Sequence, residues 1–320
     1  MRESLVIGVD AGATTTRCAL SDLDGNILAR AESGGANRNS SGASPAEALT
    51  AALRNLLDES PHDAGRVGLG VVGIAGGAAV RAATQAAAED AWRAAGPGGR
   101  VVAVTDLEVG FAAGSPSPDG LLLLAGTGAV GAAFAGGRLT HRCDGYGWLL
   151  GDEGSAVWLG RAGLRAVLRA LDGRGPATAL TEALSARLEV PAGDPQALLR
   201  AAFDRTPAAL GALAPAVSAL AAAGDAVALG LAEEAAAHLL HTLSTVAGHA
   251  RSSSPPAVVL AGSVLLSEGP VADRVVAAVR ERYRIVPMAA SYGPAGAVWL
   301  AITQVKGDFP DAVVHARLTR

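Results

Sequence analysis

Apolar and polar positions alternate along the first third of the chain with the periods of short strands and amphipathic helices. The strands are apolar on both faces, which is typical of a partly parallel sheet covered by helices. The pattern therefore predicts an α/β layout of the form β-β-β-α-β-α-β-α. The predicted elements are strands 4–9, 16–21 and 26–32, helix 44–60, strand 67–76, helix 78–95, strand 100–106 and helix 107–114.

The same outline begins again after the turn-rich segment GSPSPDG at 114–120. Residues 121–140 repeat the order strand, small-residue bend, strand, Gly-Gly turn, strand. We therefore predict a duplicated unit, with one domain at 1–117 and a second at 118–320 that carries a helical insertion at about 170–250. The second half is predicted to contain helical sequence over 152–251, strand 257–262, helix 269–282, strand 283–287 and helix 293–302, and the tail from 303 has no clear pattern.

Composition narrows the class of protein. Half of the residues are hydrophobic but only 3% are aromatic, so the core is built from small and aliphatic side chains. A net charge of −4 without a long basic run argues against a nucleic-acid partner. No apolar run approaches the ~18 residues of a membrane span, and the first run is interrupted at Asp10, unlike a signal peptide. Two cysteines are too few for a disulfide framework. We expect a soluble, cytoplasmic protein.

Two similar bends stand at the heads of the two repeats. The first follows Asp10 in VDAGATTT, and the second is AGTGAVG at 125–131. Such bends expose backbone N–H groups and hydroxyls that suit phosphate oxygens, and Asp10 is placed to hold Mg²⁺ through water. Each bend alone is equally typical of a polar hairpin. The pair favours a nucleotide held by one loop from each domain.

Three other segments carry candidate chemistry. Asp106 follows a buried strand, where open α/β sheets bind ligands, although an N-terminal helix cap explains it equally well. Segment 145–153 contains glycines, aromatic residues and a carboxylate pair. These residues are typical either of a polyol-binding pocket or of a helix start whose acidic side chains complement the helix dipole. A further strand runs into Gly262 and Ser263, which form either a simple strand-to-helix turn or a contact with the adenosine or phosphates of a nucleotide. Of the six histidines, only His238 and His241 have a spacing that suits a metal ion, and we interpret them as ordinary helix residues.

The motifs GVDAGATTTR, TDLEVGFAAG, LAGTGAVG, GYGWLLGDEGSAVWLGR and LAGSVLLS occur in the order and spacing of N-acetylglucosamine kinases. More broadly the chain resembles the BadF/BadG/BcrA/BcrD-type ATPase family of the actin–hexokinase–Hsp70 superfamily. The resemblance implies two ribonuclease-H-like domains around a central cleft, ATP with Mg²⁺, phosphoryl transfer to the 6-hydroxyl of an amino sugar, and a homodimer. It implies Asp106 as catalytic base, and sugar contacts from Asn37, Asp106, Gly145, Tyr146, Gly147 and Asp152. The implied nucleotide contacts are Gly12, Thr14, Thr15, Gly126, Thr127, Gly128, Gly262, Ser263 and Ser267, with Asp10 near the metal.

Two positions depart from the family pattern near the sugar: Asn39 replaces an aromatic residue, and Val130 replaces an asparagine. Both N-acetylglucosamine and glucosamine therefore stay open as substrates. Alternative functions are an ATPase that activates a partner dehydratase and a non-catalytic sugar-binding protein. An activator of that type needs cysteines for a bridging iron–sulfur cluster, and neither Cys18 nor Cys143 lies in such a motif. A sugar-sensing repressor needs an amino-terminal helix-turn-helix, which the sequence does not show.

Overall fold

The first sheet forms where apolar runs of five to eight residues alternate with turn-forming residues. A computed structural model describes residues 4–12, 15–34, 45–74, 81–250, 256–290 and 292–320. Each strand and helix predicted for the first repeat is present among the described residues, and positions 44, 75–76 and 78–80 of the predicted elements lie outside them. They are β1 Leu5–Ala11, β2 Thr15–Ser21, β3 Ile27–Gly34, α1 Pro45–Glu59, a 3₁₀ turn Ala64–Arg66, β4 Val67–Ile74, α2 Arg81–Ala95, β5 Arg100–Thr105 and α3 Asp106–Gly114.

The strand order of this sheet is β3-β2-β1-β4-β5. β2 is antiparallel to β1 and β3, whereas β1, β4 and β5 run parallel. Asp10 on β1 lies opposite Gly73 on β4, and Ile74 lies opposite Thr105 on β5. The carboxyl ends of the three parallel strands therefore meet at one edge of the sheet.

The second sheet repeats this topology, with the order β8-β7-β6-β9-β10. β7 is antiparallel to β6, and β9 is parallel to β6. The prediction of a duplicated α/β unit is confirmed, and the fold is that of two ribonuclease-H-like, actin/hexokinase-type domains. The elements are β6 Gly120–Ala125, β7 Ala129–Ala135, β8 Arg138–Asp144, α4 Ala156–Leu171, α5 Leu180–Leu188, α6 Pro195–Phe203, α7 Pro207–Gly211, α8 Ala214–Ala222, α9 Ala226–Ala247, β9 Ala257–Ala261, α10 Ser263–Leu266, α11 Pro270–Tyr283, β10 Met288–Ala290, α12 Gly293–Lys306 and α13 Ala312–Leu318.

The predicted strand at 283–287 is wrong. Helix α11 continues to Tyr283 and ends at Arg284, whose left-handed backbone (φ 58°) stops the helix. The second strand of that region comes later, at Met288–Ala290. Tyr283 and Ile285 are apolar and pack against the core of the second repeat. Their alternation with polar residues at the end of the helix resembles the pattern of a short strand, so periodicity alone predicts a strand there.

Contacts group the chain into two units: Met1–Pro118 with Gly136–Leu139 and Ala289–Arg320, and Asp119–Ala135 with Thr140–Met288. The carboxyl-terminal residues thus pack with the first unit, whereas the predicted domains assign 118–320 to the second. Helix α12 explains the difference, since Trp299 and Ile302 are buried in one cluster with Val6 of the first sheet. At Gly8 a Cβ atom would lie 2.4 Å from the backbone nitrogen of Val298, so a side chain there would exclude the helix.

Alanine-rich sequence builds the helical part of the second unit, where α4, α5, α8, α9 and α11 share one core with the second sheet. Among the described residues, no single helix combines the length and apolarity that a bilayer span requires. One pair, Pro207–Ala222 with Ala226–Ala247, meets that requirement only when taken together and is bent by 115° at its break.

Candidate functional site

The carboxyl edge of the first sheet carries two carboxylates. Asp10 stands at the end of β1, and Asp106 is the first residue of α3, directly after β5. With β4 between them, the two strands are separated by about 10 Å. Parallel strands expose their ligand-binding residues at this edge, so both predicted positions fall where small molecules bind in α/β sheets.

Asp106 is not the cap of helix α3. The side chain of Thr105 accepts a hydrogen bond from the Glu108 backbone at 3.2 Å, and the Glu108 carboxylate accepts one from the Thr105 backbone at 2.9 Å. This reciprocal capping box satisfies the start of the helix. The alternative that Asp106 caps the helix is therefore wrong, because Thr105 and Glu108 cap it.

Asp10 lies in a partly buried position against the start of helix α12. A Cβ atom on Gly293 would lie only 2.0 Å from Asp10 Oδ2, so glycine is what allows the carboxylate to sit there. Burial raises the pKa of Asp10, and the positive charge of Arg17 opposes that shift. In the part of the chain that the structure describes, no side chain or backbone group donates a hydrogen bond to this carboxylate.

The first small-residue bend is only partly described. Gly12 donates a backbone hydrogen bond to the carbonyl of Thr15 at 3.0 Å, which closes the turn between β1 and β2. The hydroxyl of Thr16 is buried and has no partner among the described residues. Thr14, together with Asn37 and Asn39 of the predicted sugar site, lies outside the described residues.

In the second unit, the Gly/Thr turn (residues 126–128) joins β6 to β7. The Gly126 nitrogen donates to the Gly128 carbonyl at 2.9 Å, and the Gly126 carbonyl accepts from the first helical residue of α4, Ala156, at 2.8 Å. Gly262, after β9, packs on this turn with φ 86°, and a Cβ there would lie 2.4 Å from the Ala125 carbonyl oxygen. The two predicted nucleotide segments are thus in direct contact.

A cavity of 480 Å³ opens beside the Gly/Thr turn, within the second unit. Thr127, Ser263 and Ser267 contribute hydroxyls to its wall, and Gly269 leaves backbone exposed. Small apolar residues of α7, α8 and α11 supply the remaining wall. The cavity therefore combines several hydroxyls with small apolar residues, a lining typical of small-molecule sites.

The glycine-rich loop (residues 145–152) follows β8 and is held by one carboxylate. Asp144 accepts hydrogen bonds from the backbone nitrogens of Gly145 (2.7 Å), Asp152 (2.8 Å) and Glu153 (2.9 Å). The two ends of the loop are thereby fixed to one side chain. Arg142 adds donors to the carbonyls of Asp144 and Gly145 at 3.1 and 2.5 Å.

Asp152 brings the glycine-rich loop and the Gly/Thr turn together. Its carboxylate accepts hydrogen bonds from the backbones of Ala129 and Gly147, and a Cβ on Gly128 would lie 2.8 Å from its Oδ2. Burial raises the pKa of Asp152, and the nearby Asp144 charge acts in the same direction, whereas the two backbone donors lower it. A carboxylate that accepts hydrogen bonds thus stands beside a turn suited to phosphate.

The rest of the GDEGS motif has structural tasks. The Ser155 hydroxyl caps α4 by accepting from the Trp158 backbone at 3.1 Å. Gly154 has φ 81° and packs against α9, where a Cβ would lie 2.6 Å from the Ala235 carbonyl oxygen. Glu153 pairs with His238 of α9 at 3.0 Å.

The tip of the glycine-rich loop is apolar and open to solvent. Tyr146, Leu149 and Leu150 are 70%, 70% and 80% exposed. Tyr146 is therefore available to a ligand, while its ring lies 5.8 Å from the Arg142 guanidinium. Val130, the residue that departs from the pattern, lies behind the loop, with its Cγ2 3.1 Å from the position of a Cβ on Gly145.

Comparison with known proteins agrees with this arrangement. The sequence profile of the BadF/BadG/BcrA/BcrD ATPase family matches residues 7–301, which is most of the chain. The chain belongs to this family. Apart from the first two residues of β1, its sheets, its Gly/Thr turn and its glycine-rich loop lie inside the matched region.

Three known proteins resemble this chain in sequence or structure. An N-acetylmuramic acid/N-acetylglucosamine kinase of Clostridium acetobutylicum is 31% identical over 182 residues, which cover 55% of this chain and 57% of that protein. An N-acetyl-D-glucosamine kinase of Dictyostelium discoideum is 29% identical over 59% of this chain and 62% of that protein. The chain thus spans about three fifths of the length of these curated relatives. A Chromobacterium violaceum protein, provisionally named an N-acetylglucosamine kinase, has a TM-score of 0.75 at 26% identity, covering 93% of this chain and 99% of the other.

Two side chains near the site are not singled out by sequence patterns. Asp144 carries no recognisable motif, and only its position directly before a glycine-rich loop gives a signal. His238 is a helix residue, as expected, and its ring nitrogens also lie 3.0 Å from Glu153 and 3.7 Å from Glu234. Glu234 is four residues earlier on α9, a spacing that the sequence does display.

Proposed function

We propose that this protein is an amino-sugar kinase that transfers the γ-phosphoryl group of ATP to the 6-hydroxyl of N-acetylglucosamine or a related hexosamine such as glucosamine. One observation carries the proposal: the Asp152 carboxylate of the glycine-rich loop lies against Gly128 of the Gly/Thr turn. A kinase needs its acceptor next to the phosphates, and carboxylates accept paired hydrogen bonds from sugar hydroxyls. The names of the curated relatives support the same reaction.

The nucleotide is proposed to occupy the 480 Å³ cavity of the second unit. Its adenosine part would contact Ser263 and Ser267, and its phosphates would receive hydrogen bonds from the Gly/Thr turn. Turns of this kind present backbone donors to phosphate oxygens without needing a lysine. The corresponding bend of the first unit, which includes Gly12, Thr14 and Thr15, is proposed as a second phosphate-binding segment.

Asp10 fits a water-mediated contact to Mg²⁺. It is a partly buried carboxylate without a described hydrogen-bond donor, and Mg²⁺ is usually held by one or two carboxylates together with substrate phosphates and water. Among the described residues, no group of three His, Cys, Asp or Glu side chains can hold a metal alone, so the ATP phosphates would supply the other ligands. Bound Mg²⁺ would neutralise phosphate charge during transfer.

Asp106 is the proposed general base, which accepts the proton of the attacking sugar hydroxyl. The proposed sugar contacts are Asn37, Gly145, Tyr146, Gly147 and Asp152. Catalysis of phosphoryl transfer consists mainly of positioning and charge stabilisation, so these residues act by orienting the hydroxyl. The rival role, activation of a dehydratase through a bridging iron–sulfur cluster, finds no support at Cys18, which is buried within the first unit.

The test is release of ADP from Mg-ATP with a panel of acceptors: glucosamine, N-acetylglucosamine, N-acetylmannosamine, N-acetylmuramic acid, glucose, and no sugar. The proposal expects turnover that depends on one amino sugar. Asp106→Asn should keep the fold and nucleotide binding while turnover falls about 10²- to 10⁴-fold. ADP release that is the same with every sugar and without sugar would refute the kinase. Near-normal turnover of Asp106→Asn would instead remove only the assignment of the base.

The finer attributes stay predictions. A magnesium requirement follows from the position of Asp10 and is checked by the same assay with EDTA. A homodimer and a cytoplasmic location are expected by analogy with sugar kinases.

A further inference from the structure

A second polar site lies on the same unit, between helices α4 and α9. It is a groove of 570 Å³ lined by four arginines, together with Glu153, Glu234 and His238. We call it the arginine groove and define it by Arg161, Arg165, Arg169 and Arg174. Neither the nucleotide cavity nor the proposed sugar contacts include these four residues.

The arginines are arranged as a stripe. Arg161, Arg165 and Arg169 follow one another at intervals of four residues on α4, so they share one face and succeed each other by about 6 Å. Like charges at this spacing repel each other. Partial burial lowers the pKa of Arg161, and the neighbouring Arg165 charge acts in the same direction.

The acidic residues nearby leave most of this charge uncompensated. Arg174 pairs with Asp172 at 2.5 Å, and Arg161 donates to the Trp148 carbonyl. Glu153 and Glu234, which also line the groove, both pair with His238. Within the part of the chain that the structure describes, Arg165 and Arg169 have no acidic partner within 4 Å.

The groove also has an apolar wall. Its apolar lining consists of Trp158 of α4 and Val227 and Leu231 of α9. A bare surface stripe would attract only diffuse counterions. The exposed Arg165 and Arg169 side chains border a concave space with an apolar wall, and such a space suits a compact organic anion.

We propose that the arginine groove binds a small-molecule phosphate, with the phosphate group on Arg165 and Arg169 and any carbon skeleton against the apolar wall. Guanidinium forks match phosphate oxygens with two parallel hydrogen bonds, and a doubly charged anion relieves the repulsion between successive arginines. Two sources share this chemistry, inorganic phosphate and an organic phosphate monoester such as a sugar phosphate.

The groove is connected to the glycine-rich loop. Arg161 donates a hydrogen bond to the Trp148 carbonyl, and its guanidinium lies 5.2 Å from the centre of the Trp148 ring. Glu153 pairs with His238, and the Glu153 backbone nitrogen donates a hydrogen bond to Asp144. Arg161 lies one helical turn from Arg165, so a phosphate on Arg165 and Arg169 changes the electrostatic surroundings of the loop.

The experiment is calorimetric titration of the full chain with inorganic phosphate and, separately, with glucosamine 6-phosphate. Saturating ADP is present in each titration to occupy the nucleotide cavity. The Arg165→Gln/Arg169→Gln variant should lose affinity at least about tenfold, because each charge-assisted pair contributes strongly to phosphate recognition. The matched control is Arg187→Gln/Arg200→Gln, which removes the same charge from exposed helical positions of the same unit and should bind like the wild type.

Binding that the Arg165→Gln/Arg169→Gln variant loses supports the groove. Equal affinity of that binding for the two phosphates would show that the phosphate group alone is recognised, and a tighter sugar phosphate would show that the apolar wall contributes. Sugar-phosphate binding that the variant keeps belongs to the proposed sugar contacts. No binding up to about 10 mM by the wild type, or equal binding by wild type and Arg165→Gln/Arg169→Gln, would overturn it. Thermal melting of both variants checks that they are folded. Because binding is measured directly, its failure is distinguishable from failure of the proposed kinase reaction.

Discussion

The substitution Asp144→Asn tests whether one carboxylate fixes the glycine-rich loop. Asp144 has a left-handed backbone (φ 64°), which asparagine also tolerates, so the change isolates the charge. The carboxylate accepts three backbone hydrogen bonds of 2.7 to 2.9 Å. An amide keeps one oxygen, which can still accept from Gly145 and Asp152, but it presents an NH₂ group where Glu153 donates.

The loss of free energy that keeps the loop closed follows from the strengths of these three hydrogen bonds. A hydrogen bond to a charged group contributes about 1.5–3 kcal/mol, and one between neutral groups about 0.5–1.5 kcal/mol. Weakening two bonds and removing a third costs about 3.5–6 kcal/mol, and partial exposure of Asp144 reduces this to about 2–3 kcal/mol. The local opening equilibrium should then rise roughly 30- to 150-fold.

Amide hydrogen exchange measures this directly. Peptides that cover residues 145–153 should lose protection by that factor in Asp144→Asn, and the KM for sugar should rise while the KM for ATP changes little. Asp204→Asn, at an exposed helix end of the same unit, is the control and should exchange like the wild type. Unchanged exchange of the 145–153 amides in Asp144→Asn would refute the reasoning.

Two other predictions concern titratable side chains. The Cys18 thiol is buried, and burial raises its pKa to about 12, whereas Cys143 is partly exposed. A disulfide reagent should therefore modify one thiol in the native protein and two after unfolding; rapid modification of both in the native state would contradict this. His315 donates to the Ala112 carbonyl at 2.8 Å, and burial lowers its pKa below the ordinary value of 6.5. The unfolded chain then binds more protons than the folded one, so this contribution to stability is present above pH 6.5 and is lost as the pH falls below it. Denaturant unfolding from about pH 7.5 to about pH 5 should show that loss, and His315→Asn should reduce the slope.

Much of the fold could be predicted from sequence because the strands are short, apolar and separated by turn residues. The duplicated order of elements was visible from the repeat of a strand, a small-residue bend and a strand at 121–140. Local patterns are less informative where a residue is held by a distant partner. The tail had no clear period, yet α13 is anchored by the buried His315 ring against Trp299.

The candidate site shows the same limit. The Gly/Thr turn and Gly262 could be found because glycine is required where backbones approach closely, and the contact between Gly262 and Ala125 is of that kind. The roles of carboxylates were harder to assign, since an acidic residue at a helix start has several ordinary explanations. At position 106 the sequence allowed a cap, and only the hydrogen bonds of Thr105 and Glu108 exclude it.

Asp144 shows why a carboxylate that holds a loop closed cannot be found from the sequence. Its side chain reaches a backbone nitrogen nine residues later, and nothing in the local sequence encodes a contact at that separation. The glycines at 145, 147 and 151 allow the loop to turn back on itself, but they do not reveal what holds it closed. A residue of this kind is recognisable only once the loop has folded, when three donors converge on one carboxylate. The acidic residues most informative about this site are therefore those whose partners are backbone groups. They cannot be found from the sequence, because any residue type can supply a backbone donor.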